Sequence, residues 1–438
     1  TGFKNIFKLP PGHYFVFKIG PLREARKLQI KKYWSISFGR KLSLLEEEWE
    51  EILLEKLKES VQARLIADVP VGAFLSGGID SSTLVALMAQ NTSKRIKTFT
   101  ISFDDPKFDE SNYASLVAKQ YGLDHKTFRV TNKMMSEVFT RLSDYYDEPF
   151  ADNSAIPTIF LSKLASKYVK VALTGDGGDE NFAGYERYNV VSFSDIYNRV
   201  PPLARRMLLS GTSLFDILTS TRFSGRVRTY TKTFELPFYK KYLYYSCFFD
   251  NETKFNLYSA DFLDAIIKSD TFDIFKSFYK PNFSDLDNAL NIDVNTYLPE
   301  DLLFKTDIAS MAYSLETRAP FLNHELLELT AQMPHHLKIK FFNKKYIFKK
   351  TLQKNHLIPN EIINRPKRGF VAPIDKWFKE DYKDIVIESF SSKKFKDANI
   401  LDHDKLEEYL RTYFNGSGVS SNNIFALLSL ASWINKYF

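Results

Sequence analysis

Near residue 80, seven consecutive residues combine small side chains, hydroxyl groups and one carboxylate. They are Ser76, Gly77, Gly78, Ile79, Asp80, Ser81 and Ser82. Adjacent glycines let a backbone approach a ligand closely, and the free N–H groups at the start of a helix favour an anion such as phosphate. Asp80 would repel a bare phosphate, so it fits this string if it binds Mg²⁺ held on the phosphate oxygens. A glycine turn with a serine cap would explain two glycines but not the whole string.

A second string crowds acidic residues behind an apolar run. It consists of Leu173, Thr174, Gly175, Asp176, Gly177, Gly178, Asp179 and Glu180. Neighbouring carboxylates repel one another unless a cation or an amine lies among them. We therefore predict that Asp179 is a second Mg²⁺ ligand, and an acidic turn is the alternative.

Three more strings carry charged residues downstream. They span residues 300–307, 310–322 and 365–370. The last, Arg365-Pro366-Lys367-Arg368-Gly369-Phe370, places three cations beside a glycine, as the binding of a triphosphate requires. Each string alone could equally be a surface feature.

The apolar pattern indicates the elements that position these strings. Six apolar residues recur every four positions and predict a helix, with Ser43 and Glu46 as its capping box. They are Leu45, Trp49, Leu53, Leu57, Val61 and Leu65. The predicted strands are 71–75, 97–103 and 169–173, and the next predicted helices are 81–90 and 111–121. Alternating strands and helices predict an α/β fold with a doubly wound parallel sheet, in which ligands bind beyond the carboxyl ends of the strands.

The two flanks differ from this core. Residues 1 to about 40 predict only a short strand, Tyr14–Phe17, with no helix to cover it. Beyond about residue 190 the pattern is mostly helical and rich in Phe and Tyr, with polar connections at 219–224 and 282–288. We therefore predict three parts, which are 1–40, 41–190 and 191–438.

Composition argues against several classes of protein. A chain of 438 residues exceeds one usual core, and its 60 Lys and Arg against 53 Asp and Glu form no basic stripe for nucleic acid. The single cysteine, Cys247, can form neither a disulfide within the chain nor a zinc site. We find no signal-peptide pattern and no apolar run of roughly 18 residues, so we expect a cytoplasmic protein that binds no membrane and no nucleic acid. A homodimer stays open.

In this order, the five strings resemble the synthetase domain of the glutamine-dependent asparagine synthetases, from about residue 1 to about residue 380. The first string is also similar to the pyrophosphate loop of the N-type ATP pyrophosphatases. It differs from a Walker loop, because no lysine follows its glycines. The resemblance implies the α/β fold of those pyrophosphatases, a mostly helical C-terminal part, and ATP and Mg²⁺ as cofactors.

The resemblance assigns roles to matching positions. Glu316 would act in amide formation, and Lys367 would neutralise phosphate charge. The residues implied in binding ATP and pyrophosphate are Leu75, Ser76, Gly77, Gly78, Asp80, Ser81, Ser82, Ile101, Gly175 and Lys367. Among them, Leu75, Ile101 and Gly175 would line the adenosine pocket. The implied Mg²⁺ ligands are Asp80 and Asp179, and the residues on the aspartate side are Asp176, Glu180 and Arg318.

Some positions depart from the family pattern. Asn153, Asn181 and Asn323 replace the usual proline, apolar residue and aspartate, which we expect to tune activity without abolishing it. Asp176 stands where β-lactam synthetases carry a tyrosine for cyclisation, and so favours an external amine. The chain begins with Thr1 instead of a nucleophilic cysteine, so we expect residues 1–40 to be the end of a missing glutaminase domain and its linker.

The expected reaction converts ATP and L-aspartate to β-aspartyl-AMP and pyrophosphate. Ammonia, supplied by glutamine in the longer protein, then displaces AMP to give L-asparagine. Three alternatives stay open: amidation of another carboxylate on a saccharide or peptide precursor, a non-catalytic relative that binds nucleotide, and an RNA-modifying enzyme. The costly set of charged residues argues against the second, and the absence of a basic stripe and of a cysteine pair argues against the third.

Overall fold

The computed structural model describes most of the chain. It covers residues 1–17, 28–92, 94–198, 200–201, 233, 235–266, 269–367, 369, 372–416 and 418–438. The predicted connection at 219–224 lies outside the described residues, as do Arg368 and Phe370 of the last charged string.

A sheet of five parallel strands forms the centre of the fold. In chain order the described strands are β1 (His13–Phe15), β2 (Ile30–Lys32), β3 (Val71–Phe74), β4 (Lys97–Phe103), β5 (Asp124–Val130), β6 (Val171–Leu173), β7 (Glu316–Arg318), β8 (Ile339–Lys340) and β9 (Asn343–Lys344). The central sheet has the order β5-β4-β3-β6-β7, and each neighbouring pair in it is parallel. The chain builds outward from β3 on one side and then on the other, so the winding reverses at β3.

Helices cover both faces of this sheet. The first eight are α1 (Glu46–Arg64), α2 (Ile79–Gln90), α3 (Ser111–Gln120), α4 (Asn132–Phe139), α5 (Leu142–Tyr145), α6 (Ala155–Ala165), α7 (Gly178–Phe182) and α8 (Glu186–Asn198). The buried side chains of α1 and α2 belong to one apolar cluster, and the buried side chains of α6 belong to another. Along β6, Ala172 joins the α6 cluster while Val171 and Leu173 join the other. Successive strand residues point to opposite faces, so the sheet separates two cores.

Beyond α8 the described chain is mostly helical. Its α-helices are Phe238–Ser246, Asn251–Leu257, Ala260–Ile266, Phe272–Phe278, Asp285–Asn295, Phe304–Met311, His324–Ala331, His335–Lys338, Tyr346–Lys354, Asn360–Ile363, Ile374–Lys376, Lys383–Ser391, Lys393–Asp397, His403–Phe414 and Ser421–Tyr437. Two π-helices, Leu298–Leu303 and Trp377–Asp381, and one 3₁₀ turn, Pro320–Leu322, complete the set. The strand β7 comes from this part yet extends the central sheet. Within the described ranges, no helix combines the length and the apolar character that a membrane crossing requires.

The mixed α/β class and its parallel sheet were predicted from the sequence and are confirmed. The helix boundaries contain one error: α1 begins at Glu46, and the backbone N–H of Leu45 donates to Glu48 Oε2 at 2.7 Å, so Ser43 and Glu46 do not form the cap. The strands β5 and β7 were not predicted. β5 is an edge strand with exposed polar residues, and β7 has only three residues, so neither shows a clear alternation of apolar side chains.

Lys338, the last residue of the helix His335–Lys338, carries a buried amine. The residue is 0% exposed, and no hydrogen-bond partner for its Nζ lies in the described part of the chain. Its neighbour Lys41 is already paired with Asp287, at 2.7 Å. Burial, with the charge of Lys41 as a further cause, lowers the pKa of Lys338 to about 7.

We expect Lys338→Met to stabilise the fold, because methionine fills a similar space without a buried amine. In the unfolded chain this amine titrates near 10.5. Between that pH and pH 7 the unfolded state therefore binds a proton that the folded state lacks, and the free energy of unfolding rises with pH. In urea unfolding, the free energy of unfolding of Lys338→Met should exceed that of the wild type by roughly 1–3 kcal/mol at neutral pH, and it should rise less steeply with pH.

The control for this prediction is Lys58→Met on the exposed side of α1, which should change little. An unchanged or lower free energy of unfolding for Lys338→Met would show that the amine has a stabilising partner.

Candidate active site

A cavity of about 500 Å³ opens beyond the carboxyl ends of β3 and β6. These neighbouring strands flank the point where the winding of the sheet reverses, which is where open α/β sheets bind ligands. The predicted site residues that line the cavity are Leu75, Ser76, Gly78, Asp80, Ser81, Gly175, Asp176, Asp179, Glu180 and Lys367. The structure therefore brings together residues that lie far apart in the sequence.

The loop 76–82 forms the compact turn that its glycines require. Gly77 has a φ of +71°, and a Cβ on it would lie 2.6 Å from the backbone N of Ala114, so a larger residue would not fit. The hydroxyl oxygens of Ser76 and Ser81 lie 3.0 Å apart and line the cavity. The helix α2 begins at Ile79, between these two serines, so hydroxyl groups and the start of a helix face the same space.

Two lysines neutralise the acidic pair Asp80 and Asp179. Lys345 Nζ lies 2.6 and 2.7 Å from the two carboxylate oxygens of Asp80 and 2.8 Å from Asp179 Oδ1. Lys367 Nζ lies 2.6 Å from Asp179 Oδ2. We call these four side chains the carboxylate cage. Both aspartates are buried, so the two negative charges need these cations.

The lysines shift the titration of the cage. Burial would raise the pKa of Asp179, but the charges of Lys345 and Lys367 hold it below its usual value. Burial would lower the pKa of Lys367, but Asp179 and Asp80 raise it. Asp179 and Lys367 are therefore both charged at neutral pH.

Two glycines make room for the cage. A Cβ on Gly178 would lie 2.5 Å from Asp80 Oδ1. A Cβ on Gly184 would overlap Asp179 Oδ1 and Lys345 Cε. Any larger residue at these positions would displace a carboxylate, so the glycines serve the site as well as the turn.

Lys345 is the main site residue that the sequence reasoning missed. It precedes the helix Tyr346–Lys354 and has a φ of +56°, a left-handed conformation that is uncommon outside glycine. Strained residues of this kind cluster at functional sites. Lys344 and Lys345 form one of several Lys-Lys pairs in the chain, so the sequence offers no signal that would single it out.

The helix that follows Lys345 is held by α1. Glu50 of α1 is 2% exposed and pairs with Lys350 at 2.8 Å and with Lys354 at 3.0 Å. One turn earlier, Glu46 accepts a hydrogen bond from Tyr346 OH at 2.8 Å. These buried or partly buried pairs keep the start of the helix, and with it Lys345, at the cavity.

Further carboxylates line the cavity beside the cage. Asp176 Oδ2 accepts hydrogen bonds from Thr174 Oγ1 at 2.8 Å and from Thr306 Oγ1 at 3.3 Å, and burial raises the pKa of Asp176. Glu180 Oε1 accepts a hydrogen bond from Tyr185 OH at 2.5 Å, and burial raises the pKa of Glu180 to about 7. Both carboxyl groups are thus less acidic than usual.

An ion pair that the sequence analysis did not assign to the site lies in the same wall of the cavity. Lys305 Nζ is 2.7 Å from Asp152 Oδ2 and 2.7 Å from Ser154 Oγ, and all three residues line the cavity. Lys305 belongs to the string 300–307 of the sequence analysis, whereas Asp152 and Ser154 follow the acidic residues Asp147 and Glu148.

Glu316 and Arg318 do not line the cavity. In the parallel register Glu316 pairs with Val171, the first residue of β6, so it lies at the amino end of β7 while the cavity lies at the carboxyl ends. Its side chain is 55% exposed and lies 2.6 Å from Arg318 Nε. Arg318 also donates to the carbonyl oxygen of Arg64 at 2.8 Å. In this structure the two residues hold the edge of the sheet and face no cavity ligand.

Three other predicted residues also lie outside the lining. Gly77 shapes the loop from behind, Ser82 is fully buried in α2, and Ile101 belongs to the apolar core. The apolar wall near Leu75 comes instead from Phe74 and Phe99, with Thr100 beside them. Ile101 lies two residues after Phe99 on the same face of β4, but its side chain is buried in the apolar core.

Cys247 follows the helix Phe238–Ser246 and lies outside this cavity, where it is partly buried. Burial raises the pKa of its thiol to about 11. At neutral pH the side chain is therefore a thiol and a weak nucleophile.

A parallel α/β sheet with a polar cavity at its reversal point is typical of nucleotide-binding proteins. The profile of the asparagine synthase family matches residues 53–435, so the chain belongs to that family. It is 28% identical over 384 residues to glutamine-hydrolysing asparagine synthetase 1 of Bacillus subtilis, covering 87% of this chain and 58% of that protein.

Two more relatives show how varied the similar proteins are. Glutamine-hydrolysing asparagine synthetase 3 of Bacillus subtilis is 24% identical over 430 residues, with 94% of this chain and 61% of that protein covered. The amidase chry2 of Gibberella zeae is 25% identical over 413 residues, with 86% and 60% covered. The chain therefore spans about three fifths of the length of these relatives.

Lys345→Met should destabilise the fold, because it leaves Asp80 facing Asp179 in a buried place without the cation between them. We expect urea unfolding to show that the free energy of unfolding falls by roughly 3–5 kcal/mol, which is the range for breaking a buried ion pair. Adding Asp80→Asn should recover much of that loss, since it removes one of the two facing charges. If the losses of the two single variants simply add in the double variant, the coupling through the cage is absent.

Proposed function

We propose that the chain is the ATP-consuming half of an asparagine synthetase. It would activate L-aspartate as β-aspartyl-AMP with release of pyrophosphate, and ammonia would then displace AMP. The observation that carries the proposal is the single cavity in which a glycine-serine loop, two aspartates and two lysines meet. Membership of the asparagine synthase family supports the amide-forming second step.

ATP fits this cavity in one direction. The apolar wall of Leu75, Phe74 and Phe99 suits an adenine ring, and the hydroxyl groups of Ser76 and Ser81 suit phosphate oxygens. We propose that pyrophosphate leaves from the loop 76–82. Gly175 keeps this loop close to the acidic string, because a Cβ there would lie 3.1 Å from the backbone N of Ser81.

Asp80 and Asp179 are the proposed ligands of Mg²⁺. Both carboxylates already face one cation within 2.8 Å, so their oxygens suit a positive ion between them. Among the described residues no group of three metal-binding side chains occurs, and Mg²⁺ usually takes one or two carboxylates together with substrate phosphates. When bound, the ion would neutralise charge on the phosphates. Lys345 would then turn from the carboxylates toward phosphate oxygens.

The first step is a substitution at the α-phosphorus of ATP. A carboxylate oxygen of the acceptor forms the new P–O bond, and the bond to the β-phosphate breaks. Negative charge builds up on the departing pyrophosphate. Lys345 and Lys367 line the cavity and would stabilise this charge without having to be recruited from solvent.

In the second step the nitrogen of ammonia attacks the acyl carbon, and AMP leaves with the bonding electrons. The nitrogen must then lose a proton. Asp176 lines the cavity, and burial raises its pKa, so its carboxylate is a stronger base than that of an exposed aspartate. We therefore propose Asp176 for this role in place of Glu316, which faces away from the cavity.

The acceptor is the least determined part of the proposal. L-Aspartate carries an ammonium group as well as carboxylates, and Glu180 and Asp176 provide acidic partners beside the cation Lys305. The similarity to a protein named amidase favours a second candidate, the amidation of another carboxylate. Because similar proteins are named glutamine-hydrolysing, we propose that glutamine supplies the ammonia through a part of the protein outside this chain.

With Mg²⁺, ATP, L-aspartate and ammonium, the chain should release pyrophosphate and AMP in equal amounts. Asp80→Asn keeps the size of the side chain but removes its charge, so it should lower the rate by roughly 10² or more. Phosphorus NMR of the reaction mixture distinguishes the products. ADP and inorganic phosphate would contradict adenylation, whereas pyrophosphate released with another acid and not with aspartate would favour the second candidate.

A further inference from the structure

The cations that line the cavity are not equally neutralised. Lys345 and Lys367 are paired with the aspartates of the cage, and Lys344 forms an ion pair with Glu186. Lys349 also lines the cavity, but no carboxylate in the described ranges forms an ion pair with it. Its Nζ donates to a neutral acceptor, Asn343 Oδ1, at 3.0 Å.

The surroundings of Lys349 disfavour the charged form of its amine. Burial first, and then the charges of Lys344 and Lys345, lower the pKa of Lys349. An amine near neutral acceptors and other cations is stabilised when an anion arrives. A negatively charged ligand in the cavity therefore relieves this unfavourable effect.

The position of Lys349 indicates which part of a ligand it would meet. It lies in the first turn of the helix Tyr346–Lys354, which begins directly after Lys345, and both residues line the cavity. Lys345 lies at the cage, and Asn343 and Phe342 beside Lys349 are exposed. Lys349 therefore extends the row of cations from the cage toward solvent.

The backbone before this helix is held in an unusual conformation. Phe341 and Phe342, between β8 and β9, have φ values of +49° and +61°, and Lys345 has +56°. Two-residue turns of this kind strongly prefer Asn-Gly, because bulky residues are strained at positive φ. Strain of this kind persists where the surroundings enforce it, and here it directs Asn343, Lys345 and then Lys349 toward one cavity.

We propose that Lys349 binds the terminal phosphate of ATP, which becomes the outer phosphate of the leaving pyrophosphate. This inference rests on the proposed function, since it takes the row of cations as the path of the triphosphate. The cage would hold the inner phosphates, and Lys349 is the one lysine of the cavity lining in the described ranges that forms no ion pair with a carboxylate. Its ligand class is thus a di- or triphosphate and not a nucleoside monophosphate.

The test compares ligands that have or lack the outer phosphate. Calorimetry would measure the affinities of Mg²⁺·ATP, Mg²⁺·pyrophosphate and AMP for the wild-type chain and for Lys349→Met, without any turnover. We expect Lys349→Met to weaken ATP and pyrophosphate binding by roughly tenfold or more, as for losing one charge-assisted contact, and to leave AMP binding unchanged. Lys349→Arg should restore most of the affinity.

The control is Lys58→Met on the exposed side of α1, which removes a lysine that does not line the cavity. It should bind all three ligands like the wild type, and circular dichroism would show that each variant is folded. If Lys349→Met loses the same factor of affinity for ATP and for AMP, or binds ATP as tightly as the wild type, the inference is overturned. If the wild-type chain binds neither ATP nor pyrophosphate, the proposed function itself fails.

Discussion

Two aspartates that share a buried place repel each other strongly, and much of this structure follows from that repulsion. Asp80 and Asp179 come from different loops, yet Lys345 lies within 2.8 Å of both, and Lys367 neutralises the far side of Asp179. In a poorly solvated site such charges are tolerated only when opposite charges are close and well directed. Without the lysines, the loops after β3 and β6 could not come together at the centre of the sheet.

The fold meets this constraint with backbone as much as with side chains. Gly178 and Gly184 leave the space that the carboxylates occupy, and Lys345 takes a left-handed conformation to reach them. The helix behind Lys345 is anchored to α1 through Glu50. A cage prepared in this way is ready to exchange one cation for another, which is what the binding of a metal nucleotide requires. In the proposed reaction, preorganised charges of this kind would stabilise the leaving pyrophosphate without reorganising at the moment of reaction.

Sequence patterns predicted those parts of the site whose residues lie close together in the chain. The glycine-serine loop, the acidic string and the strands beside them could be predicted, because each combines a strand, a turn and a helix within about twenty residues. Lys345 and Lys349 could not, because lysines are frequent and only the tertiary fold brings these two to the cavity. Glu316 shows the opposite case: its motif is local, but the register of β7 places it at the amino end of that strand, away from the cavity. Register and backbone strain are decided by packing over long sequence distances, which periodicity does not reveal.

We propose that the carboxylate cage binds the phosphates and their metal ion. A crystal structure of the chain with Mn²⁺ and an ATP analogue that carries a methylene group between the α- and β-phosphates would locate both. We predict an anomalous peak between Asp80 and Asp179, bound to oxygens of both, with Lys345 Nζ moved onto the phosphates. A metal ion and triphosphate bound elsewhere, with Lys345 still seated between the two aspartates, would contradict the account.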